Sequence, residues 1–208
     1  HKPDIYYFSG TAQDCYLYLP VAEDPILFVK QYLPRAMDET TIDDLVQIES
    51  VKEIPELIQG RHRRLPATCG LAYDVVPHRD VLFYQHLFST VKFKDATAVI
   101  NGCRQVKSKW EIEQLTASAE LSSMTFDFMA GAIRPGISEM AFCGEFETFA
   151  RQYGHSGKLL MRHYRSEGFA FHLMSGENGG LPDALDSPVC GTGTSCAFPY
   201  GAGPRLLR

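Results

Sequence analysis

Long apolar runs and long blocks of like charge are both missing from this sequence. No apolar run approaches the roughly 20 residues that a helix needs to span a bilayer, so a membrane-spanning protein is not expected. Acidic and basic residues are interspersed, which argues against the basic surface of proteins that bind nucleic acid or adhere to membranes. The opening residues HKPDIYYFSG lack the pattern of a secretory signal. We expect a cytoplasmic protein with no nucleic-acid or membrane partner.

Cysteines with the spacing of a metal site are also missing. The six cysteines are scattered, with no C-x-x-C pair and none of the ligand spacing of a zinc ribbon or finger. Cys190 and Cys196 share a glycine-rich stretch, but a reducing compartment disfavours a disulfide between them. Reduced thiols are the expected state.

The composition that is present is that of a folded chain. Hydrophobic residues make up 45% and aromatic residues 12% of the 208 residues. This length suits one large domain or two small ones. The formal net charge of −5 favours a function that involves small molecules or peptides.

A junction and a long helix are predicted in the middle of the chain, over residues 104–133. Ser108 and Glu111 have the spacing of a capping box, in which each side chain accepts a hydrogen bond from the other residue's backbone N–H. Apolar or small residues then follow at steps of three and four, which predicts one buried stripe along the helix. The stripe comprises Ile112, Leu115, Ala119, Ser122, Phe126, Met129 and Ile133.

A second helix is predicted directly afterwards. Pro135 and Gly136 end the first helix, and Ser138 is a new N-cap. Phe142 and Phe146 then recur at helical spacing, and this helix is expected to run to about residues 153–154.

Short strands and helices are predicted to alternate over residues 1–103, which indicates one α/β domain. The predicted strands are residues 4–8, 15–19, 26–29, 45–48, 68–73 and 96–100. The predicted helices are residues 32–39, 54–59 and 77–88. Beyond the two long helices, residues 158–165 and 169–174 are predicted strands, and residues 175–208 are rich in the glycine and proline of loops.

Four motifs in this order resemble one known family. They are DIYYFSG at residues 4–10, K-S-x-x-E-I at 107–112, I-R-P-G-I-S-E at 133–139 and SGENG at 175–179. Together they resemble the aminopeptidase P, prolidase and creatinase family of pita-bread proteins. The resemblance implies an α/β (α+β) fold. Residues 1–103 would form an N-terminal mixed sheet with helices, and residues 104–208 an incomplete pita-bread catalytic domain of two long helices followed by strands.

The resemblance also implies a reaction, the hydrolysis of a peptide bond before proline. The substrate would be a peptide with proline at its second position, and the enzyme a homodimer. Water held between two divalent metal ions, Mn, Co or Zn, would be the nucleophile. In relatives the five metal ligands follow the segment that matches residues 197–200, so none is expected in this chain. The intact protein is expected to be an enzyme, and the chain as given to be inactive.

Three residues are candidates for the site by this resemblance. A motif S-G-x-N is followed in relatives by a histidine that contacts the substrate, and here the best match, residues 197–200, places Tyr200 at that position. Tyr200 is the candidate catalytic residue, because a phenol can donate a hydrogen bond to an oxyanion. Asn178 and Phe198 are candidate substrate-binding residues. The alternative for Tyr200 is an aromatic residue that packs in the loop.

Other functions remain open at this point. A creatinase-like hydrolase of a small guanidino compound would use the same scaffold without metal. A short, inactive binding or regulatory homologue is the further alternative to part of a longer enzyme. A metal site built from His155, His163, His172 and Glu167 is rejected, because their spacing fits no zinc motif.

Overall fold

The computed structural model describes residues 1–157, 160–162, 173–182, 191–198 and 200–207. The chain divides into two compact units. The first contains His1–Val106 with Met161–Ser166, and the second Lys107–Leu160 with Glu167–Arg208. In the described part of the chain, no helix combines the length and apolar character that crossing a bilayer requires.

Short strands and helices alternate in the first unit. The strands are β1 Cys15–Tyr18, β2 Ile26–Val29, β3 Asp44–Gln47, β4 Thr68–Leu71 and β5 Lys92–Asp95. The helices are α1 Lys2–Ser9, α2 Leu33–Glu39, α3 Ile54–His62, α4 His78–Leu87 and α5 Thr97–Gln105. A 3-10 turn, Val51–Glu53, leads into α3. The strands predicted from residues 15, 26, 45 and 68 and the helices predicted from residues 32, 54 and 77 are confirmed, with small shifts at their ends.

The central strand β2 organises this core. It pairs with β1 in antiparallel and with β3 in parallel orientation, while β4 and β5 form a separate parallel pair. All four residues of β2 are fully buried. Because side chains alternate along a strand, Ile26 and Phe28 pack toward α3, and Leu27 and Val29 pack into a second cluster with Cys15 and Ala36.

The strand predicted at residues 4–8 is wrong, because these residues form α1. Ile5 and the aromatic residues after it favour a strand by propensity. Pro3 in the first turn and Gly10 in the left-handed region, whose N–H donates to the Tyr6 carbonyl at 2.8 Å, define a helix instead. The helix also places Asp4 in a buried ion pair, with its Oδ1 2.7 Å from Arg162 Nε.

The strand predicted at residues 96–100 is also wrong. The strand in this region is β5, which ends at Asp95, just before the predicted strand begins, and α5 begins at Thr97. The Asp95 carboxylate accepts hydrogen bonds from the Thr97 N–H at 2.9 Å and hydroxyl at 2.6 Å, which turns the chain out of the strand. The prediction missed β5 because its sequence, KFKD, is mainly charged and exposed.

The second unit begins with the two predicted helices, α6 Lys109–Ala132 and α7 Glu139–Gln152. The capping box is confirmed: Ser108 Oγ accepts from the Glu111 N–H at 3.2 Å, and Glu111 Oε2 accepts from the Ser108 N–H at 2.8 Å. Ser138 caps α7 as predicted, with its Oγ 3.1 Å from the Ala141 nitrogen.

The predicted stripe on α6 is mostly wrong. Ile112, Leu115, Phe126 and Ile133 are all more than half exposed. The face that packs against α7 contains Phe128, Met129 and Ala132, with Phe128 stacked on Phe149 at 4.4 Å between ring centroids. Apolar residues occur on several faces of this helix, so steps of three and four trace more than one stripe. The packed stripe is the one that meets Phe142 and Phe146 of α7.

The strands predicted at 158–165 and 169–174 lie largely outside the described residues, as does Cys190 of the cysteine pair. The described part of the predicted loop contains a short 3-10 helix, Gly176–Gly180. Elsewhere in this region, Leu206 forms an isolated β-bridge with Ser138, the N-cap of α7, and Ser195 forms one with Phe198.

Candidate functional site

The candidate site lies in the second unit, where the glycine-rich loops meet the start of α7. Residues 203–207 run beside residues 136–140. The Leu207 N–H donates to the Ile137 carbonyl at 2.8 Å, and the Glu139 N–H donates to the Arg205 carbonyl at 2.8 Å. This pairing holds the last described segment against the first turn of α7.

Glu139, the first residue of α7, is fully buried. Carboxylates in a first helical turn usually face solvent, where they interact favourably with the helix dipole. Here the side chain turns into the loop region, and a buried carboxylate must recover by hydrogen bonding what it loses in hydration.

Four donors satisfy the Glu139 carboxylate. Oε1 accepts from the N–H and the hydroxyl of Ser175, at 2.6 and 3.1 Å. Oε2 accepts from the side-chain amide of Asn178 at 2.7 Å and from the Gly203 N–H at 2.9 Å. These four donors are uncharged, so within the described ranges the carboxylate is held by hydrogen bonds from two loop segments and not by an ion pair.

Asn178 connects a third segment to this group. Its Oδ1 accepts hydrogen bonds from the Thr192 N–H at 2.7 Å and the Thr192 hydroxyl at 2.9 Å, while its Nδ2 donates to Glu139. The side chain is fully buried. These contacts use both acceptor positions of the amide oxygen and an N–H of the amide nitrogen. Asn178 therefore positions the loop that begins at Gly191, and its direct contact with a substrate stays a prediction.

Tight backbone turns shape that loop. Gly191 and Gly193 have φ angles of 71° and 59°, in the left-handed region that favours glycine. A Cβ on Gly193 would lie 2.6 Å from the Tyr200 nitrogen, and the Gly193 N–H donates to the Gly201 carbonyl at 3.3 Å. The backbone of Tyr200 thus packs directly on Gly193.

The structure places the candidates Phe198 and Tyr200 on this one loop. Phe198 is 58% exposed, and its N–H donates to the Ser195 carbonyl at 2.9 Å. Tyr200 is half-buried. Asn178 is linked to the loop through Thr192. The three predicted residues therefore belong to one connected region of the second unit, and their roles in binding and catalysis stay predictions.

A divalent metal site is not formed by the residues that the structure describes. Among them, no three His, Cys, Asp or Glu side chains come together in a group that could hold a metal ion. Of the rejected histidine set only His155 is described, and its Nδ1 lies 3.1 Å from the Gly157 nitrogen; the other members lie outside the described ranges.

The sequence analysis did not identify Glu139 as part of the site. The residue lies in the I-R-P-G-I-S-E motif, but a glutamate directly after an N-cap is ordinarily a solvated residue. Its four donors come from residues 36 to 64 positions away. No local pattern could have indicated those contacts.

The fold is that of an α/β protein of the creatinase and prolidase type. Residues 1–106 match the family described as the Creatinase/Prolidase N-terminal domain. Because this match covers half of the chain, the chain belongs to that family. The predicted family and fold class are confirmed. No curated protein matches the chain.

Several solved structures share the fold. The prolidase from Pyrococcus furiosus is 22% identical, with a TM-score of 0.63, and the match covers 74% of this chain and 44% of that one. The Xaa-Pro dipeptidase from Bacillus anthracis is 18% identical, with a TM-score of 0.68 and coverages of 75% and 44%. The X-Pro aminopeptidase from Thermotoga maritima is 19% identical, with a TM-score of 0.67 and coverages of 74% and 44%. The chain thus matches less than half the length of each.

Proposed function

We propose that this chain supplies the N-terminal domain and the opening part of the catalytic domain of an Xaa-Pro peptidase-type hydrolase. One observation carries the proposal: the structural match covers 74% of the chain, so it extends beyond the N-terminal domain that ends at residue 106. The two units, which divide after Val106, support a domain boundary near the predicted residue 103. The substrate of the proposed enzyme is a peptide with proline at its second position.

In this proposal, the loop segments 191–198 and 200–201 face the substrate. Phe198 offers an exposed ring to the prolyl side chain, and the Tyr200 hydroxyl donates a hydrogen bond to the oxygen of the scissile carbonyl. The support for these roles is the way that loop is held. Buried hydrogen bonds among Glu139, Asn178 and Thr192 hold the first end of the loop. The backbone contacts of Gly193 with Tyr200 and Gly201 hold the other end.

Two divalent ions, Mn, Co or Zn, are expected in an intact peptidase of this kind. When bound, such a pair polarises the carbonyl and lowers the pKa of a bridging water. The described residues do not fit this pair of ions, because no three of their carboxylate, imidazole or thiol groups converge. We propose that the ligands of these ions lie outside the described residues.

The proposed protein is a cytoplasmic homodimer. The support for the dimer is the number of large apolar side chains that α6 exposes, since such surfaces on folded proteins mark interfaces. They are Trp110, Ile112, Leu115, Met124 and Phe126. Light scattering coupled to size exclusion should show twice the mass of one chain, and a stable monomer would contradict the dimer.

The activity can be tested on the endogenous protein, captured with an antibody raised against this chain. The intact mass of the captured protein gives the length of the whole chain that contains these residues. It should release free proline from Ala-Pro in the presence of Mn²⁺, Co²⁺ or Zn²⁺, and should not cleave the matched peptide Ala-Ala. Release of urea from creatine without proline release would favour the creatinase-like alternative. Binding of Ala-Pro without cleavage would favour the inactive homologue.

A further inference from the structure

The backbone of Tyr200, the candidate catalytic residue, packs against Gly193. A Cβ on Gly193 would lie 2.6 Å from the nitrogen and 2.6 Å from the carbonyl oxygen of Tyr200. The next residue along the chain, Gly201, accepts a hydrogen bond from the Gly193 N–H at 3.3 Å. Because closely packed groups cannot shift independently, the position of Tyr200 depends on that of Gly193.

One series of hydrogen bonds connects Gly193 to Glu139. Thr192, the residue before Gly193, donates its N–H and its hydroxyl hydrogen to Asn178 Oδ1, at 2.7 and 2.9 Å. The Asn178 amide nitrogen donates in turn to Glu139 Oε2 at 2.7 Å. Because a carboxylate only accepts and an N–H only donates, these contacts fix which side of the Asn178 amide faces each neighbour. The whole series depends on an acceptor at residue 139.

A second, shorter connection reaches Tyr200 from the other side. Gly203, three residues after Tyr200, donates its N–H to the same oxygen, Glu139 Oε2, at 2.9 Å. The Gly203 carbonyl accepts from the Met140 N–H at 3.2 Å, so this residue is held by both its polar backbone groups. A Cβ on Gly203 would lie 2.8 Å from the Gly193 carbonyl oxygen, which means that the two glycines pack directly together. Glu139 Oε2 therefore holds both backbone segments that fix Tyr200.

We propose that Glu139 is a positioning residue for Tyr200 in the hydrolysis of Xaa-Pro peptides. The inference rests on the proposed function, in which the Tyr200 hydroxyl donates to the oxygen of the scissile carbonyl. Such a donor stabilises the transition state only from the correct place, and a displacement of about 1 Å can lower the rate about a hundredfold. Glu139 acts by fixing the backbone that carries the Tyr200 side chain, and it does not contact the substrate.

The test is a double-mutant cycle on the whole protein, in the length that its intact mass gives. Glu139→Ala should lower kcat for Ala-Pro by at least about tenfold and change KM little, because the affected contact forms in the transition state. In a Tyr200→Phe background the same substitution should lower kcat no further, because the hydroxyl that it positions is gone. Equal losses of kcat in the two backgrounds would overturn the proposal, since a merely structural defect acts in both.

Two further variants support the cycle. Glu147→Ala, on the exposed face of the same helix, is the control and should leave kcat unchanged. If circular dichroism shows that Glu139→Ala is unfolded, Thr192→Val decides instead, because it removes one hydrogen bond of the longer series. Its loss of kcat, about threefold, should also vanish in the Tyr200→Phe background, and a loss that persists there would contradict the proposal.

Failure of the proposed function gives a different result. A wild-type protein that does not cleave Ala-Pro, or a Tyr200→Phe variant with full activity, would contradict the proposed function. The position of Tyr200 is then measured by NMR, with its ring resonances assigned as those missing from the Tyr200→Phe spectrum. These resonances should shift in Glu139→Ala and stay in place in Glu147→Ala. Unshifted Tyr200 resonances in Glu139→Ala would overturn the positioning role, whatever the activity of the protein.

Discussion

The side-chain amide of Asn178 donates a hydrogen bond to Glu139 Oε2 at 2.7 Å, and both side chains are fully buried. The contact joins two of the family-like motifs, since Glu139 ends I-R-P-G-I-S-E and Asn178 lies in SGENG. Through Thr192 it also anchors the loop that contains Phe198 and Tyr200. The stability of the second unit should therefore depend on this pair.

Replacing the buried carboxylate should destabilise the second unit. Glu139→Gln keeps the shape of the side chain but turns one acceptor into a donor that faces existing donors. The free energy of unfolding should fall by about 1–3 kcal/mol, the usual cost of buried polar groups without partners. Urea unfolding measures this change.

The matched control for that substitution is Glu147→Gln. Glu147 is on the same helix, where it pairs with Arg151 at 2.7 Å on an exposed face. Its replacement should change the stability by less than about 0.5 kcal/mol. Similar losses in the two variants would mean that the Glu139 hydrogen bonds contribute nothing specific.

Placing a second carboxylate beside Glu139 should make stability depend on pH. In Asn178→Asp, two acids meet in a buried site where both cannot remain charged, so the folded state raises the pKa of one of them. A raised folded-state pKa means that the variant is most stable at low pH and loses stability as the pH rises through that pKa. Thermal melting from pH 4 to pH 8 should therefore show a falling Tm, which the wild-type chain, with an amide there, should not share.

Removing Arg162 should destabilise the first unit and alter its response to acid. The side chain is 9% exposed, pairs with Asp4 and hydrogen-bonds both carboxylate oxygens of Asp74. Hydrogen bonding to Arg162, helped by Thr97, lowers the pKa of Asp74. Arg162→Leu should cost about 3 kcal/mol, the lower end of the range for buried pairs, because Asp74 is partly exposed.

The sign of the pH effect follows from the lowered pKa. The stabilisation by Asp74 is present above its unfolded-state pKa, about 3.9, and is lost as pH falls through the lower folded-state value. The stability difference between wild type and Arg162→Leu should thus be larger at pH 6 than at pH 3. Lys109→Leu, at an exposed pair with Glu113, is the control. A difference that does not change with pH would exclude the proposed role of the ion pairs.

A methyl group at Gly193 should disturb the loop that contains Tyr200. In Gly193→Ala the Cβ would lie 2.6 Å from the Tyr200 nitrogen, at a φ of 59°. Strain at such a position costs about 1–3 kcal/mol, and the amide resonances of residues 191–198 and 200–201 should shift in NMR spectra. Gly144→Ala, within α7, is the control, because a Cβ at this position would meet no atom within 4 Å. It should stabilise the helix by about 0.5–1 kcal/mol. Unshifted resonances in Gly193→Ala would show that the loop adapts freely.

The cap of α6 should be measurable by itself. Ser108→Ala removes the hydroxyl that accepts from the Glu111 N–H and should lower stability by about 1 kcal/mol. Hydrogen exchange of that N–H should also speed up. Ser122→Ala, on an exposed turn of the same helix, should not lower stability. Unchanged exchange at Glu111 would mean that the helix begins elsewhere in solution.

Interactions between near neighbours in the chain could be predicted. The capping box of Ser108 and Glu111 spans three residues, and the Ser138 cap another three, so residue type and spacing suffice. The apolar run at residues 26–29 likewise predicted the strand β2, and the structure adds that all four residues are buried. The roles of Asn178, Phe198 and Tyr200 stay predictions, and the structure adds only that hydrogen bonds through Thr192 link Asn178 to the segment that contains the other two.

The amino-acid sequence thus determined the family, the α/β fold, both long helices and their caps, because these depend on local hydrogen bonds and on ordered motifs. Only the tertiary structure decided three further features: the helix at Lys2–Ser9, the packed face of α6 and the burial of Glu139. Asp4 meets Arg162, Phe128 stacks on Phe149, and Glu139 binds Asn178 and Gly203. These partners are distant in the chain, and only folding brings them within contact distance.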